Sequence, residues 1–250
     1  MKGKILTIII SAAMMLTLCS SCKDRSNAET GETEITTATE TTATETTATE
    51  TTAAESSASE TTADEPVQDE EYVIFGHYEQ DGDESNGPEP IEWLVLSHED
   101  DRMLLISRNI LDYQAYNTEY APVTWETCTL RQWLNEDFIN AAFDASEQER
   151  ILTVTNTNPD NAMYGGTEGG NDTEDKVFLL SRDEADTLFA DDDARAVDNC
   201  DWWWLRSPGF KSTHAAIVLN IGEIYYHGHI VSFNYFDHAV RPALWLKVDQ

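Results

Sequence analysis

Four histidines, His214, His227, His229 and His238, crowd the last forty residues of the chain. His227-Gly228-His229 is the pair with chemical potential, because alternate residues of a strand point the same way and would bring two imidazoles to one face. No third ligand stands at a spacing known from zinc motifs, and histidines beside turns are ordinary surface residues. The surroundings carry more information. Tyr225, Tyr226, His227, Phe233, Asn234, Tyr235 and Phe236 form an aromatic, amide-bearing stretch broken by Gly228 and Ser232 and closed by Asp237. Saccharide and peptide sites use such faces, apolar with a few directed hydrogen bonds. Candidate binding residues are therefore Tyr225, Tyr226, His227, Phe233, Asn234, Tyr235 and Asp237, with sheet packing as the competing explanation for the same aromatics.

A second candidate is the loop from Asn158 to Asp175, rich in Asn, Asp and Glu oxygens and in glycines that permit tight wrapping. Calcium takes roughly six to eight such oxygens. Asn171, Asp172 and Asp175 are the expected Ca²⁺ ligands, although EF-hand spacing is absent and a solvated loop of Asx-turns has the same composition. Cysteine offers less. Cys19 and Cys22 belong to the N-terminal leader, which leaves Cys128 and Cys200, either bridged in an exported domain or buried as separate thiols. Cys128 precedes a helical pattern, a place where a thiol pKa can fall, but no histidine is near it in sequence to act as a base. No catalytic residue is assigned.

These groups need a frame. Tyr72-Val73-Ile74-Phe75-Gly76-His77-Tyr78, Ile91-Glu92-Trp93-Leu94-Val95-Leu96 and Arg102-Met103-Leu104-Leu105-Ile106-Ser107 read as strands, the last two joined as a hairpin. From Thr129 the period changes: Leu130, Trp133, Leu134, Phe138 and Ala142 recur at helical spacing behind a Thr129/Gln132 capping pattern. Ser146/Glu149 and Ser181/Glu184 predict short helices at about 147–152 and 182–190. Lys176-Val177-Phe178-Leu179-Leu180, Trp202-Trp203-Trp204-Leu205-Arg206, Ala215 to Leu219, Glu223 to Tyr226 and Val240 to Leu246 complete the strand set, with Asn220-Ile221-Gly222 as a hairpin turn. The expected class is α+β: an antiparallel sheet with short helices and long loops. Arg206 and Arg241 stand in apolar strand context, where a charge requires a partner, and carboxylate or carbonyl groups are expected to hold them.

The N-terminal quarter has other properties. Met1 to Ser21 has a basic start, an apolar run from Ile5 to Leu18 too short for a membrane span, and small residues before Cys22, which together predict an export signal over 1–22 with Cys22 as the lipidated residue. Residues 23–66 form a linker. From Thr36 to Glu65 a five-residue repeat of the type Thr-Thr-Ala-Thr-Glu carries no aromatic residue and too little apolar surface to offset its ordering entropy. Flexible-coil statistics give it a reach of about 35–40 Å. A single α+β domain is expected over 67–250.

Charge narrows the partners. The 250 residues hold 47 acidic against 15 basic side chains, a formal charge of −32. Residues 1–66 contain only eleven of the acidic and four of the basic ones, so the remainder is itself strongly negative. Such a surface repels phosphate backbones, which excludes nucleic acid as an expected partner.

Several segments together resemble a bacterial domain of unknown function common in exported and lipid-anchored proteins. They are Ile91 to Leu96, Thr124-Trp125-Glu126-Thr127-Cys128-Thr129-Leu130-Arg131-Gln132-Trp133-Leu134-Asn135, Asp175 to Ser181, Trp203-Trp204-Leu205-Arg206-Ser207-Pro208-Gly209 and Val240-Arg241-Pro242-Ala243-Leu244. More distantly, the aromatic-Leu-Arg segment, the small-residue strand, the Gly turn and the closing Val-Arg-Pro resemble the end of formylglycine-generating-enzyme-like domains, a branch of the C-type lectin-like fold. That likeness implies a loop-rich ligand face. It does not bring the enzyme's activity, whose reactive cysteines have no counterpart between Arg206 and Arg241. The expectation is a lipid-anchored protein on the extracellular face of the cell membrane, its acidic stalk presenting a domain that binds a glycan, peptide or cell-wall component. The alternatives are a surface hydrolase with an unlocated acid/base pair and a structural envelope module.

Overall fold

The computed structural model describes residues 70–198, 200–232 and 238–248. The expected signal peptide, Cys22 and the repeat linker lie outside the described residues, as do Phe233, Asn234, Tyr235 and Asp237. No described helix is long and apolar enough to cross a membrane.

The domain is α+β, with two five-stranded sheets and short helices. The first sheet contains β1 (Tyr72–Tyr78), β2 (Glu89–Glu99), β3 (Arg102–Ser107), β12 (Ala243–Lys247) and β7 (Val177–Phe178), in the order β1-β2-β3-β12-β7 and antiparallel throughout. Ile91, Trp93, Leu105, Ile106 and Leu244 are wholly buried along it. Burial of a tryptophan requires a partner for its N–H, and Trp93 Nε1 donates to the Phe75 carbonyl at 2.7 Å.

The second sheet is mixed. It runs β10 (Ile224–Ile230), β9 (His214–Leu219), β8 (Trp202–Pro208), β11 (Ala239–Val240) and β4 (Asp112–Tyr113), with β11 parallel to β8 and the other pairs antiparallel. A small ribbon pairs β5 (Val154–Asn156) with β6 (Thr173–Asp175).

Arg241-Pro242 carries the chain from β11 in one sheet to β12 in the other. Arg241, 3% exposed, donates from Nε to Ser107 O at 2.8 Å and from Nη1 to Arg195 O at 3.2 Å, and its guanidinium lies over the rings of Phe189 and Trp203. Burial pulls its pKa down to about 10, which leaves it charged at neutral pH. Arg206 is held by the Glu184 carboxylate and by Leu179 O. Both arginines are scaffold, with the partners their apolar context required.

The helices refine the boundaries read from sequence. α1 (Thr129–Trp133) continues through a π-helical turn (Leu134–Phe138) into α2 (Ile139–Ala142). Leu130, Leu134, Phe138 and Ala142 are all buried although spaced by four. On a regular helix that spacing drifts by about 40° per step, and the wider π turn takes up part of the drift. Thr129 is not the cap of this helix: Cys128 is, its Sγ accepting from Arg131 N at 3.4 Å, while Thr129 Oγ1 accepts from Thr118 N. The capping box expected at Ser146/Glu149 is formed two residues earlier by Asp144 and Glu147, which start α3 (Ala145–Gln148). Aspartate is an equally good cap, and its carboxylate takes both free N–H groups. The Ser181/Glu184 box does start α4 (Arg182–Leu188), and α5 (Asp192–Arg195) follows.

Candidate functional site

β9 and β10 form the hairpin that carries the candidate residues. Its turn is fixed by Gly222, at φ +83°, whose carbonyl accepts from the buried Arg195 Nε at 2.9 Å. A Cβ there would stand 1.7 Å from Asp192 O, so only glycine lets the turn dock on α5.

Register then departs from a plain ladder. Tyr225 pairs with Ile217 and His229 with Ala215, so β10 holds two more residues than β9 over the same span. β8 does the same from the other side, with Trp204 opposite Ile217 and Pro208 opposite Ala215. The two bulges flank Ala216. On β8 the surplus contains Arg206, turned towards Glu184; on β10 it is the arch Tyr226-His227-Gly228, with Gly228 at φ +72°. Bulges re-aim side chains in this way.

The arch gathers rings. His227 stacks on Phe210, with centroids 3.7 Å apart and planes 16° from parallel. Tyr164 stands at 90° to His227 and 74° to Phe210, at 5.8 and 6.3 Å. Tyr225 tilts against His227 at 5.7 Å, and His214 packs edge-on to it at 6.1 Å. Lys211 Nζ lies 4.8 Å from the Phe210 centroid, and the Arg182 guanidinium 5.5 Å from that of Tyr226. Tyr164 and Tyr225 keep 37% and 42% of their surface in water.

Tyr164 reaches the arch through Asn161. This side chain, 2% exposed, donates from Nδ2 to Pro208 O at 2.9 Å, Gly209 O at 3.2 Å and Tyr226 O at 3.4 Å, and its Oδ1 accepts from Met163 N. It starts the 3₁₀ turn Ala162–Tyr164, which Gly165 ends at φ +74°. Beneath the rings, His214 is buried; that burial, then the nearby Lys211 charge, brings its pKa down to about 4. It is neutral at physiological pH and serves as packing. Burial likewise lowers the pKa of His229.

Of the residues singled out from sequence, Tyr225, Tyr226 and His227 are brought together on the arch. Asn171, Asp172 and Asp175 each hydrogen-bond to groups of the protein. Asn171 Nδ2 donates to the Glu126 carboxylate, and Asp172 Oδ1 accepts from Asn158 N at 3.3 Å. Asp175, 1% exposed, pairs with Arg131 at 2.5 Å and accepts from Trp125 Nε1, Asn156 Nδ2 and Thr173 Oγ1. Its oxygens are committed to joining β6 to α1.

Cys128 and Cys200 are free thiols, so the bridge weighed from sequence does not form. Burial pushes the Cys128 pKa up to about 12, which suits a helix cap and not a nucleophile. The contributors that sequence reasoning missed are Tyr164, Phe210 and Asn161. Phe210 follows Pro208-Gly209 directly, an aromatic just past a turn, and that was the available signal.

The sequence model of a family described as Domain of unknown function (DUF6273) matches residues 100–248, and the chain belongs to that family. No curated protein and no solved structure matches it.

Proposed function

We propose that this member of the family is a binding module that takes a saccharide of the cell surface or wall on the aromatic arch of β10. One observation carries the reading: two half-open tyrosines, Tyr164 and Tyr225, flank the stacked His227/Phe210 pair on a domain whose surface is otherwise dominated by carboxylates. Pyranose rings present C–H faces that pack on open aromatic faces, and their hydroxyls take directed hydrogen bonds from groups such as Tyr, His and Asn. A peptide added as an extra strand is served less well. β10 is the edge of its sheet, but α4 packs beside it with Arg182 over Tyr226, Asn161 occupies the Tyr226 carbonyl, and Gly228 breaks the ladder.

This function suits a protein held to the outer membrane face through a lipid on Cys22, with the repeat linker as a stalk. A ligand face built where a strand bulges beside the Asn158 to Asp175 loop also accords with a distant C-type lectin-like origin. A binding screen of the full chain against glycans and cell-wall fragments tests the proposal. Saturable binding that Tyr164→Ala and Tyr225→Ala each weaken supports it; binding unchanged in both variants removes the arch as the site.

A further inference from the structure

Positive charge is scarce on this domain, and carboxylates hold most of it. Arg102, Arg108, Arg131, Arg195 and Arg206 pair with Glu99, Glu92, Asp175, Asp192 and Glu184. Two further cations stand at the aromatic arch. Arg182 lies over Tyr226 and is bound to the exposed Asp183 at 2.8 Å, so this pair adds little net charge. Lys211 differs. It follows Phe210 directly, is exposed, and pairs with no carboxylate among the described residues. Its Nζ lies 4.8 Å from the centroid of Phe210, the ring that stacks on His227.

The local field has the same sign. His214 packs edge-on to both Phe210 and His227, and its pKa falls to about 4 through burial first and then through Lys211, His227 and His229, all groups that repel a proton. At 0.15 M ionic strength the screening length is about 8 Å, so the distant carboxylates that give the chain its charge of −32 act weakly at the arch, and the nearest charge decides the sign. A polyanion would have to run on across the acidic surface beyond, which repels it.

Building on the saccharide reading of the arch, we propose that its ligand is an otherwise neutral saccharide bearing one acidic group, and that Lys211 is the residue that selects it. The rings pack on the sugar, and the acidic group accepts from the Lys211 ammonium. Muramic or uronic acid units and singly phosphorylated sugars share that chemistry.

A glycan array probed with the full chain at about 150 mM salt is the test. It carries neutral oligosaccharides, the same chains with one muramic acid, uronic acid or phosphorylated unit, the methyl ester of each carboxylate, and polygalacturonate. Singly acidic chains should bind about threefold tighter than their neutral counterparts, the size of one exposed ion pair. Lys211→Gln should bring that ratio to one and Lys211→Arg should keep it. Lys247→Gln, the same charge change at an exposed lysine of β12, should leave it unchanged. A larger ratio for phosphorylated units assigns a phosphate, and a larger ratio for muramic or uronic units a carboxylate. Equal binding of acids and esters, a ratio that survives Lys211→Gln, or tighter binding of polygalacturonate than of singly acidic chains overturns the charge selection. The arch itself then stands if Tyr225→Ala weakens what does bind. No saturable binding of any glycan removes the saccharide reading and the selection with it.

Discussion

Arg206 donates to both oxygens of Glu184, through Nη1 to Oε2 and through Nη2 to Oε1 at 2.8 Å, and so ties the bulge of β8 to the first turn of α4. Glu184 also closes the capping box with Ser181, which places one carboxylate at the junction of strand and helix.

Acid should loosen this junction. Burial alone would raise the Glu184 pKa, but the Arg206 hydrogen bonds and charge, with help from Ser181, hold it below its ordinary 4.5. A depressed carboxyl contributes stability that is present above the unfolded value and lost as pH falls through the folded one. Denaturant midpoints measured from pH 6 downwards should therefore fall below about pH 5. Glu184→Gln should flatten that fall and cost about 3 kcal/mol at neutral pH, the low end for breaking a buried pair, because Glu184 keeps part of its side chain in water.

Gly222→Ala should be among the most damaging small substitutions in the domain. It combines a positive φ with a Cβ placed against Asp192 O, and a loss above about 2 kcal/mol in chemical denaturation is expected. Gly82→Ala provides the comparison: it also has a positive φ, at +76°, but open space around it, so its loss should be smaller.

The two domain thiols should differ in reactivity. Cys128 is buried with its pKa raised to about 12, and Cys200 is half-buried with its pKa raised to about 11, burial being the main cause in both. In native protein with Cys19 and Cys22 replaced by serine, a thiol-specific reagent at pH 8 should label Cys200 slowly and Cys128 only after denaturation. Mass mapping of the labelled sites checks the order.

Asp175→Ala should unfold the seam between β6 and α1. It strands Arg131, Trp125 Nε1 and the Asn156 amide together, and about 3–5 kcal/mol is the expected loss. Asp172→Ala, whose one contact in this region is the Asn158 N–H, should change stability by about 0.5 kcal/mol or less.

Tyr225→Ala and Tyr164→Ala should leave thermal midpoints within about 2 °C of the parent, since both side chains are partly exposed. A large fall in either midpoint would show that the arch is packing and not a ligand face.

Much of the frame was legible in the sequence because period and turn chemistry are local. The strands from Tyr72 and Arg102, the Gly222 turn and the Ser181/Glu184 helix start stand where apolar runs, turn chemistry and capping put them, and the strand read over Ile91 to Leu96 extends to Glu89–Glu99. The arch was half legible. Tyr225 to His227 announced themselves by composition, but Tyr164 joins them through one buried amide that bonds 47 to 65 residues away, a tertiary contact with no local signature. The same limit applies to the Asn158 to Asp175 loop. Oxygen-rich composition reads alike whether the oxygens await a cation or, as for Asp175, already hold an arginine and an indole.

The paired bulges around Ala216 also restrict how this surface can change length. Side chains of a strand alternate with a period of two, so adding or removing a pair of residues between Tyr225 and His229 keeps every later residue on its own side of the sheet, whereas one residue inverts them all. The interval already departs from β9 by an even number. Insertions that preserve that parity can reshape the aromatic arch while Ile224 and Val231 stay in the core, and odd ones exchange core for surface. Loop variation in this region should therefore come in steps of two.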